Sequence, residues 1–158
     1  MRSFVIAGAA LLNACVSIDA NIEAPSDAFY SAVHDARVRE CPPERRQANA
    51  RNEGFGASAG VTGEDIAFTP LAADPARALR LRRISVQPGG VIPWHDHAAI
   101  QGMALLVSGE MVELRNTCLD PITYRAGDVA IEDENTAHSW RNASDEIAVV
   151  LVSHVVAR

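Results

Sequence analysis

The sequence predicts an all-β fold, an antiparallel double-sheet roll or closed barrel, preceded by a partly helical and partly irregular N-terminal extension. Three observations lead there. From Glu64 onward the chain is a series of short apolar segments of strand length. Turn-forming residues separate them at Gly89-Gly90, Ser108-Gly109, Ala126-Gly127 and Asn142 to Asp145. No strong helical periodicity interrupts the series, which is the pattern of a sheet folded on itself. A chain of 158 residues with 48% hydrophobic content can bury one adequate core, so a single folded domain is expected.

The first twenty residues read as a secretory signal rather than as part of the fold. Arg2 supplies a short positive region, and Phe4 to Ala14 is an apolar run too short to span a bilayer stably. Leu12-Asn13-Ala14-Cys15 is similar to a bacterial lipobox, in which the cysteine is lipidated; cleavage after Ile18-Asp19-Ala20 is the competing route. Either route predicts an exported protein, periplasmic or lipid-anchored to the bacterial envelope, that meets a membrane only through that lipid. Cys41 and Cys118 then remain, and an oxidising compartment allows them one pairing; two free thiols are the alternative.

Residues 21–63 form the expected extension. Phe29, Val33 and Ala36 recur at helical spacing between Ser26 and Glu40, and Cys41-Pro42-Pro43 would end such a helix. Glu44 to Gly63 lacks periodicity and reads as a surface loop. His34 is expected to be solvated. The barrel domain is expected over residues 64–158, with strands at Ile66 to Leu71, Leu79 to Val86, Val91 to His97, Gln101 to Val107, Met111 to Arg115, Ile122 to Tyr124, Asp128 to Ile131, Ala137 to Arg141 and Ile147 to Val155.

Charge excludes some functions. The formal net charge is −6 and all 14 basic residues are arginine, so there is no basic field for nucleic acid and no lysine amine for Schiff-base chemistry. The chemistry-bearing residues are histidines. His95 and His97, at i and i+2 of a strand, share a face, and His138 is a third candidate for the same space. Three neutral imidazoles are a ligand set for a divalent transition metal (Fe, Mn, Zn or Ni) that leaves positions open for other ligands.

The spacing around these histidines resembles the two sequence motifs of the cupin superfamily. Gly89, five residues, His95-Asp96-His97 and then Gly109 follow the first motif. Gly127, five residues, Asp133-Glu134-Asn135, two residues, His138, three residues and Asn142 follow the second. The resemblance covers roughly Leu79 to Val155 and implies a cupin-type double-stranded β-helix, the jelly-roll barrel, in an exported bacterial protein. Two departures stand out. Asp133 and Asn135 replace a proline and a glycine, residues that also suit tight turns. The motif's glutamate position falls on Gly102, leaving the adjacent Gln101 as a candidate fourth ligand if a bulge turns it inward.

The resemblance implies a small-molecule ligand or substrate near the metal. Trp140, Met103 and Leu106 are pocket candidates, and His154, among valines on the last strand, is a candidate acid, base or ligand-binding group. A mononuclear-metal enzyme of the dioxygenase type and a non-catalytic exported protein that binds a small ligand or metal are both consistent with the pattern. A homodimer is left open.

Overall fold

The computed structural model describes residues 27–158. The expected signal segment, including Cys15 and the Ala20 cleavage point, lies outside the described residues. The elements are α1 (Asp27–His34), β1 (Arg37–Val38), β2 (Ala59–Leu71), β3 (Asp74–Asp96), β4 (Gln101–Ser108), β5 (Glu110–Arg115), β6 (Ile122–Arg125), β7 (Asp128–Glu132), β8 (Ala137–Asn142) and β9 (Ala148–Ala157).

All strands belong to one curled sheet, in the order β1-β7-β4-β9-β3-β8-β5-β6, with β2 paired to β3. The long β3 makes the curl. Residues 77–86 pair antiparallel with β9, whereas Val91 to Asp96 pair antiparallel with β8 on the other half of the roll. Between them lies Gly89, whose φ of 71° is the left-handed conformation glycine adopts without steric cost. The sequence predicts two strands here; the glycines bend one strand and do not end it.

Alternation along each strand decides which side chains fill the roll. Val86, Ala104, Leu106, Met111, Tyr124, Ala130, Trp140, Val150 and Val152 are buried in one cluster between the two halves of the sheet. Burying a Val or Leu side chain contributes about 1.5–3 kcal/mol, so this cluster is the main stabilising term of the roll.

The extension is more ordered than its composition suggests. The helix ends at His34, short of the expected Glu40, because Arg37 and Val38 are captured as an edge strand beside β7. Arg37 N–H donates to the Gly127 carbonyl at 2.9 Å, and its guanidinium pairs with the nearly buried Asp128 carboxylate at 3.0 Å. Those contacts outweigh the helical propensity of the segment. β2 begins at Ala59, inside the expected loop, because its backbone groups pair with β3. Cys41 and Cys118 form a disulfide with a Cα–Cα distance of 5.7 Å, tying the extension to the turn after β5. His34 is solvent-exposed and, among the described residues, bonds the neighbouring Asp35 side chain.

Candidate metal centre

His95 is the cross-strand partner of His138 in the β3–β8 ladder, so both imidazoles rise from one face at one level. His97 follows the end of β3, where its backbone N–H donates to the Thr136 carbonyl at 2.9 Å. The turn carrying Thr136 is built by Asp133, whose carboxylate accepts from Asn135 N–H at 3.0 Å and the Thr136 hydroxyl at 2.9 Å. Asp133 thus closes the turn in which the motif has proline.

Each ring is held through Nδ1. His95 Nδ1 lies 2.9 Å from the Pro93 carbonyl, His97 Nδ1 2.8 Å from the Ile100 carbonyl, and His138 Nδ1 2.6 Å from a Glu113 carboxylate oxygen. Carbonyls and carboxylates only accept, so all three Nδ1 atoms carry the proton and all three Nε2 atoms present a lone pair. Those lone pairs converge: Nε2 of His138 is 2.9 Å from that of His97 and 3.2 Å from that of His95.

Burial first, then the neighbouring His138, pushes the His95 pKa below its ordinary value; burial likewise lowers His97 against the opposing pull of Glu132. Both rings therefore favour the neutral form, in which Nε2 is a free donor atom. The Trp140 indole N–H, 3.4 Å from His138 Nε2, is too far to satisfy that lone pair well. Two nitrogens bound to one ion at about 2.0–2.1 Å stand about 2.8–3.4 Å apart for bond angles near 90–110°. The three rings fit a divalent transition metal on donor type, tautomer and spacing.

Glu113 stands behind His138 with no exposed surface. Besides the imidazole, its carboxylate accepts from Arg115 Nε at 2.9 Å and from the Tyr124 hydroxyl at 2.9 Å. Burial raises the Glu113 pKa, but the hydrogen bond from His138 and the Arg115 guanidinium outweigh it and hold the group below its ordinary value. The carboxylate–imidazole pair fixes the ring orientation and raises its basicity as a ligand. Tyr124 is pushed well above its usual range, by burial and then by the Glu113 charge, so its hydroxyl remains protonated as a donor.

A second cluster adjoins the first. Glu132, on β7, accepts from His154 Nε2 at 2.6 Å, and its other oxygen lies 3.7 Å from His138 Nε2 and 3.9 Å from His97 Nε2. His97, Glu132 and His154 satisfy the spacing of a metal-ligand group as well as His95, His97 and His138 do. Burial raises the Glu132 pKa, and the His154 hydrogen bond with the His138 and His97 imidazoles brings it below normal. His154 is thus committed to Glu132, not free as an acid or base.

The Gln101 expectation does not match its observed partners. Its amide donates to the carbonyls of His97 and Ala98 at 2.9 and 2.8 Å, locking the loop after His97. Met103 is half exposed on the outer face, whereas Ala104 and Leu106 point inward. Period-two alternation cannot bring positions 103 and 106 to the same face without a bulge. Trp140 and Leu106 do line an interior cavity, together with Ile92, Val152, Tyr124 and His95. The cavity measures about 50 Å³, and on that scale one water takes on the order of 10–15 Å³. Room for a few non-hydrogen atoms, with a largely apolar wall, lies directly against His95.

Glu113 and Glu132 are not among the residues the sequence motifs single out, although their positions carry a signal. Each occupies an inward position of its strand, Glu113 beside Met111 on β5 and Glu132 after Asp128 and Ala130 on β7. A carboxylate in that position must have a partner.

Residues 82–154 match the family model described as Cupin domain. No curated protein matches the chain in sequence. Similar solved structures include the cupin domain of Schizosaccharomyces pombe Cnp3, 12% identical with a TM-score of 0.49 over 62% of this chain and 66% of that one. KdgF from Halomonas sp. is 19% identical with a TM-score of 0.48, over 60% and 78% of the two chains. A predicted oxalate decarboxylase from Thermotoga maritima is 17% identical with a TM-score of 0.44, over 64% and 99%. The β-roll described above fits a jelly-roll cupin fold, with the Cupin domain match lying over residues 82–154.

Proposed function

We propose that this cupin-fold chain holds a divalent transition metal on His95, His97 and His138 and uses it on a small, largely apolar molecule seated beside Trp140 and Leu106. The observation that carries the reading is the convergence of three Nε2 lone pairs at 2.9 and 3.2 Å, each imposed by an Nδ1 acceptor. Three facing lone pairs repel one another unless a cation lies between them.

A bound metal would supply Lewis-acid or redox activation of a molecule coordinated at its open positions. The chain's own residues do the rest. Glu113 keeps His138 in the ligating tautomer, and Arg115 and Tyr124 keep Glu113 in place. The wall formed by Ile92, Leu106, Trp140 and Val152 limits ligand size and excludes water. The charged side chains lining the cavity are Asp128 and Glu132, both acidic, so a neutral ligand is preferred over an anion. Within this reading the finer assignment is a mononuclear dioxygenase-type enzyme.

One observation favours a non-catalytic binding role instead: the acid–base side chains against the cavity already have protein partners, Tyr124 with Glu113, Asp128 with Arg37 and Glu132 with His154. Metal analysis of protein purified without added metal, followed by an oxygen-uptake screen with small neutral aromatic and enolisable compounds, separates the two. Redox-active iron with substrate-dependent oxygen uptake supports the enzyme; zinc with binding and no turnover supports the binding protein. A metal-free protein that takes up no zinc refutes the centre. The Cys41–Cys118 disulfide supports export to an oxidising compartment; protein confined to the cytoplasm with an intact Met1 terminus refutes that part.

A further inference from the structure

We propose that Glu132 is a fourth protein donor of this centre, held in place by His154 and Arg80 across the gap that Gly102 leaves; the inference rests on the three-histidine reading. The four residues form one row across the inner face of the sheet. Arg80 on β3 is the partner of His154 on β9, His154 of Gly102 on β4, and Gly102 of Glu132 on β7.

His154 and Glu132 thus sit two strands apart, about 9–10 Å along the hydrogen-bonding direction. Their side chains close that distance to 2.6 Å by meeting over Gly102. A Cβ at 102 would collide with the Ser153 carbonyl and stand 2.6 Å from His154 Cδ2. The absence of a side chain at the motif's glutamate position is therefore matched by a carboxylate that reaches the same interior from the neighbouring strand.

The hydrogen bonds along the row run in one direction. Arg80 Nη2, a donor only, lies 3.4 Å from His154 Nδ1, so that nitrogen is the acceptor and Nε2 carries the proton. Nε2–H then donates to one Glu132 oxygen and leaves the other facing the converging nitrogens at 3.7 and 3.9 Å. Those separations exceed cis-ligand spacing by under about 1 Å, within reach of a side-chain rotation. An anionic oxygen among three neutral imidazoles also offsets half of a divalent ion's charge in a buried site. His154 and Arg80 are positioning residues.

The test uses Co²⁺ and Zn²⁺ titrations of the purified full chain, with the visible Co²⁺ spectrum as the coordination readout and circular dichroism as the folding control. Glu132→Gln should weaken Co²⁺ binding at least tenfold and change the spectrum. His154→Phe should do so in part, and His154→Gln, which retains a donor for Glu132, should recover most of the loss. Wild-type affinity and spectrum in folded Glu132→Gln, with binding abolished in His138→Ala, overturn the fourth donor and leave the three histidines standing. Metal retained in both variants refutes the three-histidine centre as well. If Glu132→Gln does not fold, Glu132→Asp carries the test by withdrawing the oxygen one methylene; an unchanged spectrum and affinity there overturn the proposal.

Discussion

Replacing Glu113 by glutamine removes a charge while leaving shape almost unchanged, and it separates two roles of that carboxylate. The first is structural. Arg115, with only 12% of its side chain exposed, loses its buried counter-ion. Breaking a buried pair from one side costs about 3–5 kcal/mol, and the residual exposure of Arg115 places this case near about 3. At roughly 2–4 °C per kcal/mol for a chain of this size, Tm should fall by about 6–12 °C. The second role is electronic. A glutamine NH₂ facing His138 Nδ1 can donate to it and drive the ring proton to Nε2, where it blocks the ligating lone pair. Loss of such a supporting partner typically costs about 10–100-fold in metal affinity. The double variant Glu113→Gln/Arg115→Met should recover part of the stability, because the orphan guanidinium is gone, and none of the metal affinity. Calorimetry of metal-free protein and Zn²⁺ competition titration read the two effects separately. A Tm within 2 °C of wild type, with zinc affinity within threefold, would refute the ion-pair and tautomer arguments together.

Three further outcomes follow from the packing. Cys118→Ser opens a cross-link between residues 77 apart, which the chain-entropy model values at roughly 4–5 kcal/mol before native strain, so Tm should drop by several degrees or more; two reactive thiols at Cys41 and Cys118 in the unfolded wild-type protein would exclude the bond. Gly102→Ala should cost about 1–3 kcal/mol as β4 and β9 are forced apart, measured by urea denaturation, and an unchanged midpoint would contradict the close approach. Gln101→Ala should leave zinc stoichiometry at the wild-type value while loosening the 98–100 loop, seen as faster amide exchange there; loss of zinc would restore Gln101 as a ligand.

The histidine triad was legible because its information is local: His95 and His97 sit at strand spacing, and flanking glycines set the register of His138. The pairing of β3 with β8 converts that spacing directly into contact. The carboxylates were harder to read because their partners are distant in sequence. Glu113 meets His138 25 residues on, and Glu132 meets His154 22 residues on. Neither encounter follows from alternation alone; each requires the strand order of a roll in which β5 lies beside β8, and β4 beside both β7 and β9. Gly102 illustrates the same limit. From sequence it was a missing ligand, whereas in three dimensions it is the opening through which two other side chains meet. The helix end was misplaced for a related reason: the edge of β7 captured Arg37 and Val38.

The Cys41–Cys118 bond also governs what a cut in the exposed stretch after Pro42 can achieve. Any single backbone cleavage between residues 42 and 117 yields two fragments that remain one covalent molecule. A protease acting near Arg51 to Ser58 would nick the protein without separating the barrel from the segment N-terminal to the cut. Reduction alone would then separate the pieces, so a nicked sample should run as one band without thiol and as two with it. The cross-link works as a retaining strap, and detachment of the roll requires two chemical events instead of one.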